Sequence, residues 1–220
     1  MAVDSPHAPR DPYRFGHGDR IELHPGTVGW HADDLEDPAI VGPWDAGKYE
    51  IVEGVLTELP GSVFAEGRAT AELAYAIRDY CRDRGLRCES ACGVNVALRP
   101  TLVLRPDMLV IVGDDFARVE ALEFPPPRTR WEDHVLGLPP TLVIESSSPR
   151  TEHHDRVAKR EWYARFGVMS YWIADGFGET LECLRLAGGA YELDAVGRGD
   201  EVVTPGGFPG LAIDLKTLWT

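Results

Sequence analysis

Lysine is scarce in this chain of 220 residues. Lys48, Lys159 and Lys216 stand against nineteen arginines. Positive charge is short altogether, with 22 Lys and Arg against 36 Asp and Glu and a formal net charge of -14. A generally basic surface, the usual footprint of a nucleic-acid binder, is therefore excluded. Long apolar runs are missing too. None approaches the ~20 residues that a membrane-spanning helix needs, so no membrane segment is expected. The N-terminus, Met1-Ala-Val-Asp-Ser-Pro-His7, has no basic stretch followed by an apolar one. No secretory signal is expected on that ground, and the chain reads as cytoplasmic. Cysteine is limited to Cys81, Cys88, Cys92 and Cys183. In a cytoplasmic chain these are expected to be free thiols. Cys88 and Cys92 have the spacing of half a zinc site. No second Cys/His pair with ligand spacing follows, and His153-His154 are adjacent, so zinc is not expected.

The acid excess is unevenly spread. Residues 1–60 carry twelve acids against four bases, whereas residues 61–112 have a net charge of +1 and residues 145–175 are neutral. Two segments are locally basic, one through Arg78, Arg82, Arg84 and Arg87, the other through Arg150, Arg156, Lys159, Arg160 and Arg165. They permit phosphate contact. They are equally consistent with solvated helix faces held by pairs such as Glu152 with Arg156.

What is present is a 44% hydrophobic content, ordinary for a chain with a real core. Residues 1–44 are rich in Pro, Gly, His and Asp and read as an irregular N-terminal arm or cap. Residues 45–220 read as one domain. Tyr49–Val52 and Val55–Leu59 flank Glu53-Gly54, a two-residue hairpin turn. Gly61-Ser62 breaks the chain before a helix over about 65–84. There Leu73, Ile77, Tyr80 and Cys81 make an apolar stripe that Gly85 ends. Strands are expected at 94–98, 102–104 and 108–112. Residues 113–140, with Pro125–Pro127 and Pro139-Pro140, read as loop. Leu142–Ile144 suits a strand buried on both faces. A helix is expected over about 155–166, then a strand at 170–174 and a hairpin over 180–195. This order predicts an α/β architecture, a mixed sheet flanked by helices.

Two acids interrupt apolar strands. Asp107 opens Met108–Val112, and Glu145 closes Leu142–Ile144. An acid at the end of a buried strand is costly unless it has a partner or a task. On neighbouring strands the two would make a hard-oxygen site for a cation such as Mg²⁺ or Mn²⁺. The plainer alternative is that Asp107 caps a turn after Pro106 and Glu145 pairs with an arginine. Downstream, Asp155, Lys159 and Tyr163 recur at four-residue steps, within ~80° of one another on an α-helix. Asp155 is placed to position Lys159, or simply to pair with it. Tyr163 could reach a phosphate oxygen, although an aromatic at that spacing is more often core.

Taken in order, Tyr49-Glu-Ile-Val-Glu-Gly54, Arg105-Pro-Asp107, Leu142-Val-Ile-Glu145, Ser148-Pro149, Asp155/Lys159/Tyr163, Gly167-Val168, Tyr171-Trp172 and Phe208-Pro-Gly-Leu211 resemble the PD-(D/E)XK nuclease superfamily. More narrowly they resemble the Uma-type restriction endonucleases, over roughly residues 45–219. The resemblance implies a restriction-endonuclease-like mixed β-sheet core with an N-terminal hairpin. It also implies Asp107 and Glu145 as metal ligands, with the Ser146 backbone carbonyl as a third. Its Glu-x-Lys pattern would put lysine at position 147, where this chain has Ser147. In the resembled family a lysine from the following helix stands in, and Lys159 holds that place. A chain that chooses arginine elsewhere has reason to keep a compact ammonium there. Glu50 matches the first motif and would bind metal through water or buttress the site. Glu66 stands where relatives often carry histidine, and an acid near a helix start is also simply favourable.

The implied activity is metal-dependent endonucleolytic hydrolysis of DNA, with a two-fold dimer expected because cutting both strands takes two sites. Two other readings stay open. One is a nuclease fold retained without catalysis, binding nucleic acid or protein. The other is a metal-dependent hydrolase of a smaller phosphate ester, which would explain the acidity.

Overall fold

The computed structural model describes residues 24–37, 40, 49–59, 64–120 and 135–220. Among side chains, those of residues 36, 64–66, 119, 120 and 135 fall outside that description. The expected boundary at residues 44 and 45, the break at Gly61-Ser62 and Pro125–Pro127 also lie outside the described residues.

Compactness divides the chain into two units built from separated segments. One comprises Met1–Leu59, Val94–Arg105 and Phe124–Gly137; the other Pro60–Gly93, Pro106–Glu123 and Leu138–Thr220. Strands far apart in sequence pair with one another, so the division does not follow a single cut along the chain.

The first unit holds a five-stranded sheet. Its hairpin is β1 (Tyr49–Val52) and β2 (Val55–Glu58), joined through Glu53 and Gly54. Both turn residues have positive φ, 52° and 78°, which the two-residue turn of a right-twisted hairpin requires. The order is β2, β1, β5 (Leu102–Leu104), β4 (Asn95–Arg99), β7 (Val135–Leu136). The described part of the N-terminal region, expected to be irregular, contributes a short helix α1 (Ala32–Glu36). It also buries Trp30 and Leu35 against Ile51, Leu56 and Val103.

The second unit holds a six-stranded mixed sheet in the order β11 (Ala190–Arg198), β10 (Thr180–Ala187), β9 (Ser170–Asp175), β8 (Leu142–Ser147), β6 (Met108–Val112), β3 (Cys88–Cys92). Only β8 and β9 run parallel within it. Helix α2 (Phe64–Asp83) covers one face. Ala69, Leu73, Ile77 and Cys81 of α2 pack on Met108, Val110, Leu142, Ile144, Trp172 and Ala174. Each large aliphatic side chain so buried stabilises the fold by roughly 1.5–3 kcal/mol. The short helix α3 (Asp115–Glu120) follows β6, in the stretch expected to be loop.

The segment expected as one α-helix over 155–166 is composite. His154–Lys159 form a π-helical turn, and α4 (Arg160–Arg165) continues from it. The i→i+5 bonding widens the turn, a feature that propensity does not signal and that recurs at functional sites. α4 ends as expected at Gly167, whose φ is 83°. The Gly167 N–H donates to Ala164 O and the Val168 N–H to Tyr163 O, a Schellman closure that a left-handed glycine permits. Two elements near the C-terminus were not expected. They are the small sheet of β12 (Val202–Val203) with β13 (Ile213–Asp214), and α5 (Leu215–Trp219), which adds Leu215 and Leu218 to the core. Among the described residues no helix is long and apolar enough to cross a membrane.

Candidate active site

Strand β8 is buried along its whole length. Alternation sends Leu142, Ile144 and Ser146 to the α2 side and Val143, Glu145 and Ser147 to the opposite side. On β6 the pairing Met108↔Ile144 and Leu109↔Val143 sets the register. One step further it places Asp107 across from Glu145, and directly opposed residues share a face.

Each carboxylate is held by a named donor. Asp107 Oδ2 accepts the Ser146 N–H at 2.7 Å, which ties the end of β6 to β8. Glu145 Oε1 accepts from Lys159 Nζ at 3.0 Å and from the Tyr163 hydroxyl at 3.2 Å. Lys159 Nζ also lies 3.8 Å from Asp155 Oδ1. Glu145, Asp155 and Lys159 are only 2%, 3% and 3% exposed. Two buried carboxylates thus share the Lys159 ammonium, and Asp107 stands opposite one of them on β6.

Below the helix, tyrosine rings form the supporting layer. Tyr163 and Tyr171 lie 5.3 Å apart between ring centroids, Tyr171 and Tyr191 5.6 Å. The Tyr171 hydroxyl donates to the Asp155 carbonyl at 3.0 Å and the Tyr191 hydroxyl to the Val168 carbonyl at 2.7 Å. Burial pushes the Tyr171 phenol well above its usual value. The negative charges of Glu145 and Asp155 raise it further, with smaller contributions from Tyr191 and Asp107. The same negative field, after burial, raises the Cys92 thiol through Asp107. On the α2 side, the hydroxyls of Ser146 and Thr70 share a hydrogen bond of 2.7 Å, fixing β8 against the helix.

Asp107, Glu145, Ser146, Asp155, Lys159 and Tyr163 therefore come together in one unit. Two further supporting residues were expected. Glu50 is a buried residue of β1, and its Oε1 accepts the Arg105 N–H at 2.7 Å. Glu66 lies in the first turn of α2, and its side chain is outside the described residues. Sequence reasoning did not single out Thr70, the bracing role of Tyr171, or Ser147 as a buried hydroxyl. Tyr171 carried a usable signal, since a tyrosine inside an apolar strand must send its hydroxyl to some acceptor.

The arginines named for phosphate contact are mostly engaged within the chain. Arg82 pairs with Asp79, Arg84 lies over Tyr80, Arg87 lies over Phe116, and Arg160 donates to the Tyr191 carbonyl. Arg156 forms ion pairs with both Glu152 and Glu182.

The donor set can be weighed against a divalent cation. Among the described residues no three His, Cys, Asp or Glu side chains form a complete cage. Mg²⁺ seldom uses one; it takes one or two carboxylates and leaves positions for water and substrate phosphate. Asp107 and Glu145, facing across two adjacent strands, fit that requirement. Ser147 Oγ, on the Glu145 side and buried, has no hydrogen-bond partner among the described residues. An uncommitted polar atom at the edge of such a site adds to the fit.

A mixed sheet flanked by helices, with two acids facing each other where β6 and β8 meet, defines a nuclease-like α/β fold. A solved structure from Anabaena variabilis ATCC 29413, described as a "putative nuclease belonging to DUF820", superposes with a TM-score of 0.58 at 17% identity. The match covers 78% of this chain and 89% of that one. The Uma2 family model, described as "Putative restriction endonuclease", matches residues 43–216, and the chain belongs to that family. No curated protein matches the sequence.

Proposed function

We propose that this chain is an endonuclease that hydrolyses phosphodiester bonds in DNA with Mg²⁺ or Mn²⁺ as cofactor. The observation that carries the reading is the strand register that sets Asp107 opposite Glu145, beside the buried group of Glu145, Asp155 and Lys159. Asp107 and Glu145 are the residues to hold the cation, with the Ser146 carbonyl beside them. When bound, a divalent cation supplies positive charge at a phosphate oxygen and favours ionisation of water.

The protein's own part is preorganisation. The Ser146 N–H holds Asp107, and Lys159 with Tyr163 holds Glu145, so neither carboxylate has to reorient on binding substrate. Lys159 places its ammonium where negative charge builds on the phosphate oxygens. Asp155, 3.8 Å away, keeps that ammonium in place. Hydrolysis consumes one water. Its oxygen bonds to phosphorus, the P–O ester bond breaks, and the departing oxygen takes up a proton. Cutting both strands calls for two such sites, which a two-fold dimer supplies.

The test is nicking of supercoiled plasmid with and without Mg²⁺ or Mn²⁺, using wild type and Asp107→Asn. Metal-dependent nicking that the variant lacks is the expected result. Equal nicking by both would remove Asp107 from the mechanism.

The internal commitments of Arg82, Arg84, Arg87, Arg156 and Arg160 favour a second reading, hydrolysis of a smaller phosphate ester by the same site. Turnover of a generic aryl phosphodiester without plasmid nicking would select it.

A further inference from the structure

Ser147 is the group the mechanism has not used. It lies two residues beyond Glu145 on β8, so the two side chains leave the same face, roughly 7 Å apart along the strand. It is 2% exposed, and among the described residues its Oγ has no hydrogen-bond partner. Its neighbours differ. Ser146 bonds Thr70, and Ser148 Oγ lies 3.3 Å from Thr151 Oγ1. In register on β9, Asp175 commits its Oδ1 to the N–H groups of Phe177 and Gly178. A buried hydroxyl left unsatisfied costs about 1–3 kcal/mol, and alanine at this position would avoid the cost.

We infer that Ser147 is a positioning residue whose hydroxyl orients the attacking water beside Glu145. The inference rests on the nuclease reading and deepens it. A hydroxyl both donates and accepts, so it can bind a water and aim it, but it carries no charge with which to activate it. The ammonium comes from Lys159 on the π-helical turn. Charge and water placement, which the Glu-x-Lys pattern assigns to one lysine, are here divided between Lys159 and Ser147.

The experiment compares Ser147→Ala and Ser147→Thr with wild type and Asp107→Asn. Four quantities are read: the Tm without metal, the Mn²⁺ affinity by calorimetry, and kcat and KM for plasmid nicking. Ser147→Ala should raise the metal-free Tm by about 2–4 °C, the shift expected for relieving one unsatisfied hydroxyl in a chain of this size. It should keep Mn²⁺ affinity within about twofold, since no ligand is lost. It should lower kcat by about 10-fold or more at unchanged KM, the scale of losing one positioning contact. Ser147→Thr, which keeps the hydroxyl, should retain most of the rate. A wild-type rate in Ser147→Ala overturns the inference. So does a fall in its metal-free Tm, which would make the hydroxyl structural, and so does equal loss in Ala and Thr. If Asp107→Asn loses both Mn²⁺ binding and nicking while Ser147→Ala is unchanged, the nuclease reading stands and only Ser147 falls. If wild type neither binds Mn²⁺ nor nicks, both fall together.

Discussion

The two faces of the six-stranded sheet are built on opposite principles from the same strands. Toward α2, β8 presents Leu142 and Ile144, and the surroundings are Leu73, Ile77, Val110, Trp172 and Ala174. Toward the π-helical turn, β8 presents Glu145 and Ser147, and the surroundings are Asp155, Lys159, Tyr163 and Tyr171. Both faces are buried. One gains stability from apolar area and shape. The other confines charges that must be compensated one by one, so its residues are held by named hydrogen bonds rather than by volume. A single strand can therefore carry the stability of the unit on one side and its chemistry on the other, because alternate side chains never meet.

The comparison can be broken first at Asp107. Asp107→Asn is expected to reduce metal-dependent nicking by on the order of 10³-fold, the upper range for one electrostatic group. Mn²⁺ should stabilise wild type by about 2.7 kcal/mol at a hundred times its Kd, and the variant should lose that gain. Without metal the variant should be as stable as wild type or more so, since it removes one of several neighbouring like charges. Thermal unfolding with and without Mn²⁺, beside the nicking assay, reads both effects.

Lys159 tests whether the charged face also needs its compensation to fold. Lys159→Ala is expected to lower turnover by about 10²-fold. It should also destabilise the protein by roughly 3–5 kcal/mol, because Glu145 and Asp155 remain buried without their ammonium. Lys159→Arg should lose nearly as much activity, since a planar fork cannot occupy the position of a compact point charge. Wild-type turnover in Lys159→Ala would reduce the lysine to a structural partner of Glu145 and Asp155. Denaturant unfolding, with turnover measured per folded molecule, separates the two consequences.

Leu73→Ala is the matching change on the apolar face. It should cost about 2–5 kcal/mol in stability and leave turnover per folded molecule near wild type. A selective loss of activity with little loss of stability would show that the two faces are coupled.

The smallest effect concerns alkaline pH. The Tyr171 phenol is raised in the fold, by burial first and then by the site's carboxylates, and the Cys88 thiol is pushed up to about 12, mainly by burial. For both groups the fold favours the neutral form. Their contribution is complete below the unfolded values, near 9 for the thiol and ~10 for the phenol, and falls as pH rises beyond them. Stability should therefore decline above about pH 9–10. Tyr171→Phe should flatten the part of that decline that begins near pH 10. A decline unchanged in that variant would assign it to other groups.

Much of this was legible without coordinates. The apolar stripe of α2, the hairpin turn at Glu53-Gly54 and the stop at Gly167 follow from local rules that hold wherever the segment sits. Strands β5 and β6 appeared with the boundaries expected of them. β3 was missed because Cys88–Cys92 has no apolar alternation, and only its pairing with β6 makes it a strand. The π-helical turn was missed because neither composition nor spacing distinguishes it from an α-helical turn.

The sequence by itself determined the alternation that puts Glu145 and Ser147 on one side of β8, and the placement of single acids at the ends of apolar strands. Those are properties of neighbouring residues, set by backbone geometry. The tertiary structure decided which groups meet. It set Asp107 across from Glu145, turned Lys159 inward onto Glu145 Oε1, held Asp155 through Tyr171, and left Ser147 Oγ without a partner among the described residues. Strand order and the widened helical turn bring those atoms together from segments tens of residues apart, and the energies that hold them arise only once water has been excluded.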